Sequence, residues 1–251
     1  MLVGDLNDWR GLRKMRFDCA SRTDVGLKRK INEDSVLAES DRGLWAVADG
    51  MGGHDAGEVA STMVTDALRC VTTTTDIDEF AAKAIDALSE VNRALIALAR
   101  SSERQQTIGT TVVGLAIANN SFLCFWLGDS RAYRLRDGEL SRLTRDHSLV
   151  QDLVDAGMLT PEQAETHENA NLITRAVGVA EEIEPEIVGG DAAPGDRFLL
   201  ASDGLTRLVP DPELAQELRA ARLDEAADRL LEMALARGAP DNVSLIIVGI
   251  D

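Results

Sequence analysis

Three short apolar runs are followed by two longer amphipathic stretches within the first hundred residues. The runs FDCASRT, SVLAES and GLWAVAD have the length and composition of strands. Apolar residues then recur at helical spacing over about 58–70 and about 77–100, which predicts two amphipathic helices. We expect the first helix to bury a face that includes Val59, Met63 and Leu68.

The middle of the chain reads as strands joined by tight turns. TTVVGLAIA, FLCFWLGD, RAYRLRDG and ELSRL follow one another, with Asn119-Asn120 and Asp137-Gly138 as hairpin turns. This order predicts an antiparallel meander rather than alternating strands and helices. A polar segment over 146–182 follows, and then two strands, a helix over about 224–237 and the final strand VSLIIVGI.

No linker or internal repeat divides this pattern. We therefore predict a polar tail over 1–16 and a single α+β domain over 17–251. Two central antiparallel β-sheets flanked by helices, a four-layer αββα sandwich, would bury all of these elements. The 251 residues are 45% hydrophobic, which is enough for such a core.

The charge balance excludes several classes of partner. The chain has 26 basic and 43 acidic residues, a net charge of −17, so we expect no nucleic acid and no anionic membrane as partner. No apolar run approaches the ~18 residues that span a bilayer, and the first residues lack a secretory signal. Cys19, Cys70 and Cys124 fit neither a zinc site nor a disulfide framework, which predicts a reducing, cytoplasmic location. None has an arginine six positions later, which excludes cysteine-dependent phosphatase chemistry.

Aspartates recur where strands end or turn: Asp34, Asp49, Asp129, Asp203 and Asp241. An isolated Asp-Gly pair is usually a tight turn. Two of these, however, are followed by glycine and lead from an apolar strand into a helical segment. Carboxylates crowded at strand ends repel one another unless cations neutralise them. Oxygen ligands of this kind suit Mg²⁺ or Mn²⁺ rather than zinc, so part of the acidic excess predicts a metal site.

The order of five short motifs carries a resemblance to a known family. R-x-x-N-E-D, A-D-G-M-G-G-H, G-D-S-R, S-D-G and D-N resemble the metal-dependent PP2C/PPM family of Ser/Thr protein phosphatases, in its bacterial branch. The resemblance covers about 19–251, and the motifs are specific as an ordered set rather than one by one. It implies two Mn²⁺ or Mg²⁺ ions in the site, with a third, weaker site in bacterial members.

The resemblance also implies roles for individual residues. Asp49 would bridge the two ions, the Gly50 carbonyl would hold one of them, and Asp203 and Asp241 would hold the other. Asp34 would act from outside through metal-bound water. The remaining implied roles are a contribution to the third site by Asp129 with Asp203, and binding of the substrate phosphate by Arg29.

His54 and the segment 146–182 lie beside these motifs. His54 follows Met51-Gly52-Gly53, where it either protonates the leaving alkoxide or hydrogen-bonds at the entry to the helix. The segment 146–182 corresponds to the flap that lies beside the active site in the family. His147 is expected to order the start of this flap, with a catalytic role as the alternative. Arg175 is expected to form a structural salt bridge, with a contact to phosphate or substrate as the alternative.

The function implied by the resemblance is hydrolysis of phosphoserine and phosphothreonine in proteins by a water activated on a binuclear Mn/Mg centre. The partners would be phosphorylated proteins, a bacterial Ser/Thr kinase and its substrates, and the chain would be a monomer. The alternative is a catalytically weak regulatory or binding module with the same fold. The acidic set Asp49, Asp203 and Asp241 is complete, which favours the enzyme. A nucleotide-binding enzyme lacks support because the phosphate-binding glycine motifs are missing.

Overall fold

The computed structural model describes residues 15–52, 56–72, 74, 76–101, 107–220 and 222–251. Eleven strands lie in these ranges: β1 (Phe17–Asp24), β2 (Asp34–Glu39), β3 (Leu44–Gly52), β4 (Ile108–Thr110), β5 (Val112–Ala118), β6 (Ser121–Leu127), β7 (Arg131–Arg136), β8 (Glu139–Arg142), β9 (Glu186–Asp191), β10 (Arg197–Ala201) and β11 (Val243–Ile250). The same ranges hold seven α-helices: α1 (Ala56–Cys70), α2 (Ile77–Ser101), α3 (Leu149–Asp155), α4 (Pro161–Glu165), α5 (Asp203–Thr206), α6 (Asp211–Ala220) and α7 (Leu223–Ala236).

The strands form two antiparallel sheets. One has the order β1-β11-β10-β7-β8, and the other has the order β2-β3-β5-β6-β9 with β4 paired to β3. The last strand, β11, therefore lies between the first strand and β10, where all eight of its residues are buried. The four residues Asn119, Asn120, Asp137 and Gly138 have positive φ, as expected for the two predicted hairpin turns.

Three hydrophobic clusters define the layers. Trp45, Val113 and Phe198 belong to the cluster between the two sheets, which is built from both. A second cluster packs α1 and α2 against the β3 sheet, and a third packs α6 and α7 against the β11 sheet. The predicted αββα sandwich is therefore confirmed.

Two details of the predicted pattern change. Val59 is 42% exposed, whereas Leu68 is buried and Met63 packs against the cluster between the helices and the β3 sheet, so the expected apolar face of α1 is confirmed apart from Val59. Its buried face is built largely from small residues, which carry a weak hydrophobic signal. Met15, the first described residue and part of the predicted tail, packs against the cluster between the sheets.

Candidate functional site

Asp34 and Asp49 are brought together by the pairing of β2 with β3. The register places the two aspartates directly opposite each other. The backbone of Asp49 is fixed from the other side, since its N–H donates to Thr111 Oγ1 at 3.2 Å and its carbonyl accepts from the N–H of Thr111 at 2.8 Å. Asp34 Oδ2 accepts from Ser202 Oγ at 2.9 Å, which links β2 to the opposite sheet.

Gly50 allows the chain to turn closely past its neighbours after Asp49. A Cβ at this position would lie 2.1 Å from the Gly57 carbonyl oxygen and 2.5 Å from that of Glu33. No side chain tolerates such contacts. Only glycine therefore allows α1 and the residue before β2, Glu33, to pack against this position. The glycine that the sequence singled out as a possible carbonyl ligand is thus also required by packing.

The second sheet contributes Asp203 and Asp241. Asp203 begins α5 directly after β10, and Asp241 precedes β11. The two segments touch at Gly204, where a Cβ would lie 1.9 Å from the Asn242 carbonyl oxygen. The short distance between them follows from the pairing of β10 with β11.

Asn242 joins this edge to the loop that carries Arg29. Its Oδ1 accepts from the N–H of Glu33 at 2.8 Å, and its Nδ2 donates to the carbonyls of Val25 and Ile31 at 2.9 and 3.0 Å. The side chain is buried, so the loop between β1 and β2 is fixed by three hydrogen bonds to one residue.

Asp129 follows β6 in a turn that His147 supports. The N–H of Gly128, whose φ is +119°, donates to His147 Nδ1 at 3.1 Å. His147 is buried, and its Nε2 lies 3.1 Å from Glu186 Oε1. With Nδ1 accepting, Nε2 carries the proton and donates to Glu186. The carbonyl of His147 accepts from the N–H of Thr174, so His147 orders both the Asp129 turn and the flap.

Most of the predicted site residues line one cavity of about 570 Å³. Its lining includes Arg29, Asp49, Gly50, Asp129, Asp203, Arg207 and Asp241, together with Asn171 and Ile173 of the flap. Asp34 does not line the cavity and lies against Ser202. Six of the predicted site residues therefore share one cavity, and Asp34 lies beside it, opposite Asp49.

The clustering of carboxylates shifts their acidity. Burial raises the pKa of Asp34 to about 6, and burial together with Asp203 raises the pKa of Asp129 to about 7. Burial and then repulsion from Asp34, Asp203, Asp129 and Asp241 raise the pKa of Asp49 well above its usual range. Burial likewise raises the pKa of Asp203, against the opposing effect of Arg207. The site thus has a large deficit of positive charge.

Two arginines partly offset this deficit. Arg29 donates to Asp241 Oδ2 at 2.8 Å, and Arg29 Nη1 lies 3.7 Å from Glu33 Oε2. Arg207 Nε lies 2.8 Å from Asp203 Oδ2, and Arg207 Nη2 donates to Asp129 Oδ2 at 3.1 Å. Arg29 is thus at the cavity, where the resemblance expects it, and is paired with a carboxylate there.

The residues present fit a pair of hard divalent cations. In the described ranges no group of three acidic, histidine or cysteine side chains closes around one metal position, and the arginines hold three of the carboxylates. The donors are nevertheless all oxygen, as Mg²⁺ and Mn²⁺ prefer. Asp34 Oδ1 is buried and has no hydrogen-bond partner among the described residues, and several neighbouring carboxylates repel one another. Cations would relieve both costs.

The remaining predictions near the cavity concern His54 and Arg175, and three further residues there had no predicted role. His54 lies outside the described residues, so its two readings stay predictions. Arg175 Nη1 lies 3.2 Å from Glu186 Oε1, the expected salt bridge. Ser202 and Asn242 lie in the S-D-G and D-N motifs, which predicted no role for them. Arg207 was not predicted either, although its i,i+4 spacing from Asp203 was an available signal.

Within the part of the chain described here, no helix is long and apolar enough to cross a membrane. This agrees with the absence of long apolar runs in the sequence.

Comparison with known proteins tests the resemblance. The profile of the family described as protein phosphatase 2C matches residues 28–240. Serine/threonine protein phosphatase PstP of Mycobacterium tuberculosis is 42% identical over 231 residues, which are 92% of this chain and 44% of PstP. A putative protein phosphatase 2C-type protein of Streptococcus pyogenes is 36% identical over 234 residues, covering 90% of this chain and 95% of that protein. This chain therefore spans less than half the length of PstP and nearly all of the streptococcal relative.

The fold agrees with the sequence comparison. The crystal structure of the catalytic domain of PstP in complex with two manganese ions superposes with a TM-score of 0.85 at 41% identity, covering 94% of this chain and 99% of that one. The resemblance drawn from five short motifs is confirmed. With its two sheets, its acidic cavity and a profile match over most of its length, the chain belongs to the protein phosphatase 2C family.

Proposed function

We propose that this chain is a metal-dependent phosphatase that hydrolyses phosphoserine and phosphothreonine in proteins. The observation that carries the proposal is the assembly of Asp49, Asp129, Asp203 and Asp241 in one cavity with Arg29. Each residue comes from a different part of the chain, and their repulsion is a cost that metal binding offsets.

Carboxylates from both sheets would hold the ions. Asp49 is the ligand that would be shared, with the Gly50 carbonyl on one side and Asp203 and Asp241 on the other. Bound Mn²⁺ or Mg²⁺ would supply the positive charge that activates the attacking water and neutralises the phosphoryl transition state. Asp34, opposite Asp49 in the register, would accept a hydrogen bond from water beside the ions through Oδ1, which has no hydrogen-bond partner among the described residues.

Arg29 would bind the phosphate of the substrate. Its side chain is 48% exposed and lines the cavity, so a phosphoryl group can reach it. A guanidinium donates two parallel hydrogen bonds to phosphate oxygens. Its hydrogen bond to Asp241 shows that its reach extends to the proposed metal ligands. Binding of ions by Asp241 would release the guanidinium for the substrate.

The alternative, a regulatory module that binds without turnover, is less consistent with the site. A binding role would not require the cost of five clustered carboxylates. All five are present, and Asn242 and His147 hold their supporting loops with buried hydrogen bonds. The arrangement favours the enzyme.

The finer parts of the proposal concern the cell. A Ser/Thr kinase and its substrates would supply the phosphorylated proteins. We further propose a monomer in the cytoplasm, where reduced Cys19, Cys70 and Cys124, free thiols in the structure, would persist. Light scattering tests the monomeric state, and cell fractionation tests the cytoplasmic location.

One assay tests the activity. The purified chain should hydrolyse a phosphothreonine peptide when Mn²⁺ or Mg²⁺ is added, lose this activity in EDTA, and recover it when Mn²⁺ returns. Asp49→Asn should abolish turnover, while Asp66→Asn on the outer face of α1 serves as the matched control with activity unchanged. Turnover that survives EDTA, or that survives in Asp49→Asn, would overturn the proposal.

A further inference from the structure

Arg207 lies at the point where the resemblance places a third metal ion. That site was expected between Asp129 and Asp203. In the structure the guanidinium of Arg207 spans the same two carboxylates, with Nε 2.8 Å from Asp203 Oδ2 and Nη2 3.1 Å from Asp129 Oδ2. A positive side chain thus already offsets part of the negative charge of both groups.

Local structure makes this placement favourable. Arg207 follows the single turn of α5, and its N–H donates to the Asp203 carbonyl at 2.9 Å. Residues four apart on such a turn lie on one face. The Arg207 side chain therefore contacts Asp203 with little loss of conformational entropy. Asp129 is 6% exposed, so its ion pair with Arg207 is shielded from solvent and is worth more than one at the surface.

The same guanidinium also contacts the flap. Arg207 Nη2 donates to the carbonyl of Ala170 at 3.2 Å. Ala170 directly precedes Asn171, which lines the cavity. One side chain therefore joins the acidic cluster to the part of the flap that borders the site.

We infer that Arg207 takes the place of a third divalent ion in this chain and ties the flap to the acidic cluster. A third ion can bridge Asp129 Oδ2 and Asp203 Oδ2 only if the guanidinium leaves them, whereas the proposed pair of ions would use the other oxygen of Asp203, Oδ1. That movement would also break the bond to Ala170, so occupancy of a third site and attachment of the flap exclude each other. The inference rests on the proposed two-metal function and predicts two ions, not three, for the native chain.

Counting bound Mn²⁺ tests the inference without relying on turnover. Isothermal calorimetry and native mass spectrometry on the full chain should find two Mn²⁺ ions at millimolar metal. Arg207→Met, which keeps an unbranched side chain but removes the charged guanidinium, should bind a third ion at least about tenfold more tightly than the native chain. Arg229→Met removes an arginine that pairs with Glu217 on the outer helices and should leave the count at two.

Hydrogen exchange supplies a second readout. Amides of residues 166–174 should exchange faster in Arg207→Met than in the native chain or in Arg229→Met, because the tie to Ala170 is lost. Arg207→Lys guards against a folding defect in the methionine variant. Its ammonium keeps the charge but cannot span both carboxylates, so the affinity for a third ion should be intermediate.

The outcomes separate the two proposals. Three ions in the native chain, bound as tightly as in Arg207→Met, would overturn the inference and leave the phosphatase proposal intact. Unchanged exchange over 166–174 in a folded Arg207→Met would overturn the flap tie. No Mn²⁺ binding to any folded variant would instead overturn the proposed two-metal function.

Discussion

Asp34 and Asp49 are cross-strand partners on β2 and β3, directly opposite each other in the antiparallel register. Like charges in this position destabilise a sheet. The pair persists beside Asp203 and Asp241, which repel Asp49 further. Without metal the folded site therefore carries electrostatic strain that its function would require.

Removal of one partner should stabilise the metal-free protein. Asp49→Asn keeps the shape of the side chain and removes the repelling carboxyl, so we expect the free energy of unfolding in EDTA to rise by about 1 kcal/mol, or about 2–4 °C in Tm. Thermal unfolding followed by circular dichroism measures it. Asp66→Asn, on the exposed side of α1, is the control. A lower Tm for Asp49→Asn would mean that the carboxyl contributes favourable contacts even without metal.

The stability of the metal-free protein should fall as the pH rises. A carboxyl whose pKa is raised when folded binds more protons in the folded chain, so its contribution is present below the unfolded pKa and is lost through the folded one. For Asp34 that window runs from 3.8 to about 6, and the loss is on the order of 3 kcal/mol. Asp129, with a pKa of about 7, extends the loss to neutral pH.

Urea unfolding in EDTA at a series of pH values measures this loss. His147 acts in the opposite direction, because burial lowers its pKa and its protonation destabilises the fold below pH 6.5. The informative quantity is therefore the difference between the native chain and Asp34→Asn, which share His147. That difference should change in favour of the variant between pH 4 and 7. A constant difference would show that Asp34 titrates alike in folded and unfolded chains.

The sequence predicted the elements whose signals are local. The turns at Asn119-Asn120 and Asp137-Gly138 each follow from two adjacent residues. The aspartate motifs likewise identified four carboxylates of the cavity, Asp49, Asp129, Asp203 and Asp241, because each lies close to one end of a strand.

Relationships between distant residues could not be predicted in this way. No pattern in the chain gives the register that sets Asp34 opposite Asp49, or the contact between Arg207 and Asp129, 78 residues apart. Val59 was wrongly expected in the buried face of α1, where the smaller Ala60 and Ser61 are buried instead and Val59 faces outward. Such features depend on packing between layers rather than on hydrophobic periodicity.

Arg29 should contribute mainly to substrate binding. Loss of charged hydrogen bonds to a phosphate costs about 1.5–3 kcal/mol, so Arg29→Ala should lower kcat/KM for a phosphothreonine peptide by about 10–100-fold, chiefly through KM. Steady-state kinetics at saturating Mn²⁺ measure this. Arg22→Ala removes an arginine that pairs with Asp224 and Asp228 away from the cavity, and should leave kcat/KM unchanged. Equal kinetics for Arg29→Ala and the native chain would remove Arg29 from the site.

Asn242 should position the Arg29 loop without contacting substrate. Its amide makes three hydrogen bonds, to Glu33, Val25 and Ile31, so Asn242→Ala leaves buried backbone groups unpaired at a cost of about 1–3 kcal/mol in stability. Because the loop would then no longer hold Arg29 in place, KM for the peptide should rise several-fold while kcat changes less.

Asn92→Ala is the matched control for this prediction. Asn92 is equally buried and holds a different loop, accepting from the N–H of Gly178 and donating to the carbonyl of Ala180. Its loss should destabilise the fold by a similar amount, measured by urea unfolding, with a smaller effect on KM. If both variants raised KM equally, the effect of Asn242 would follow from general loss of stability. A selective rise in Asn242→Ala that is absent when Arg29 is already alanine would show that Asn242 acts through Arg29.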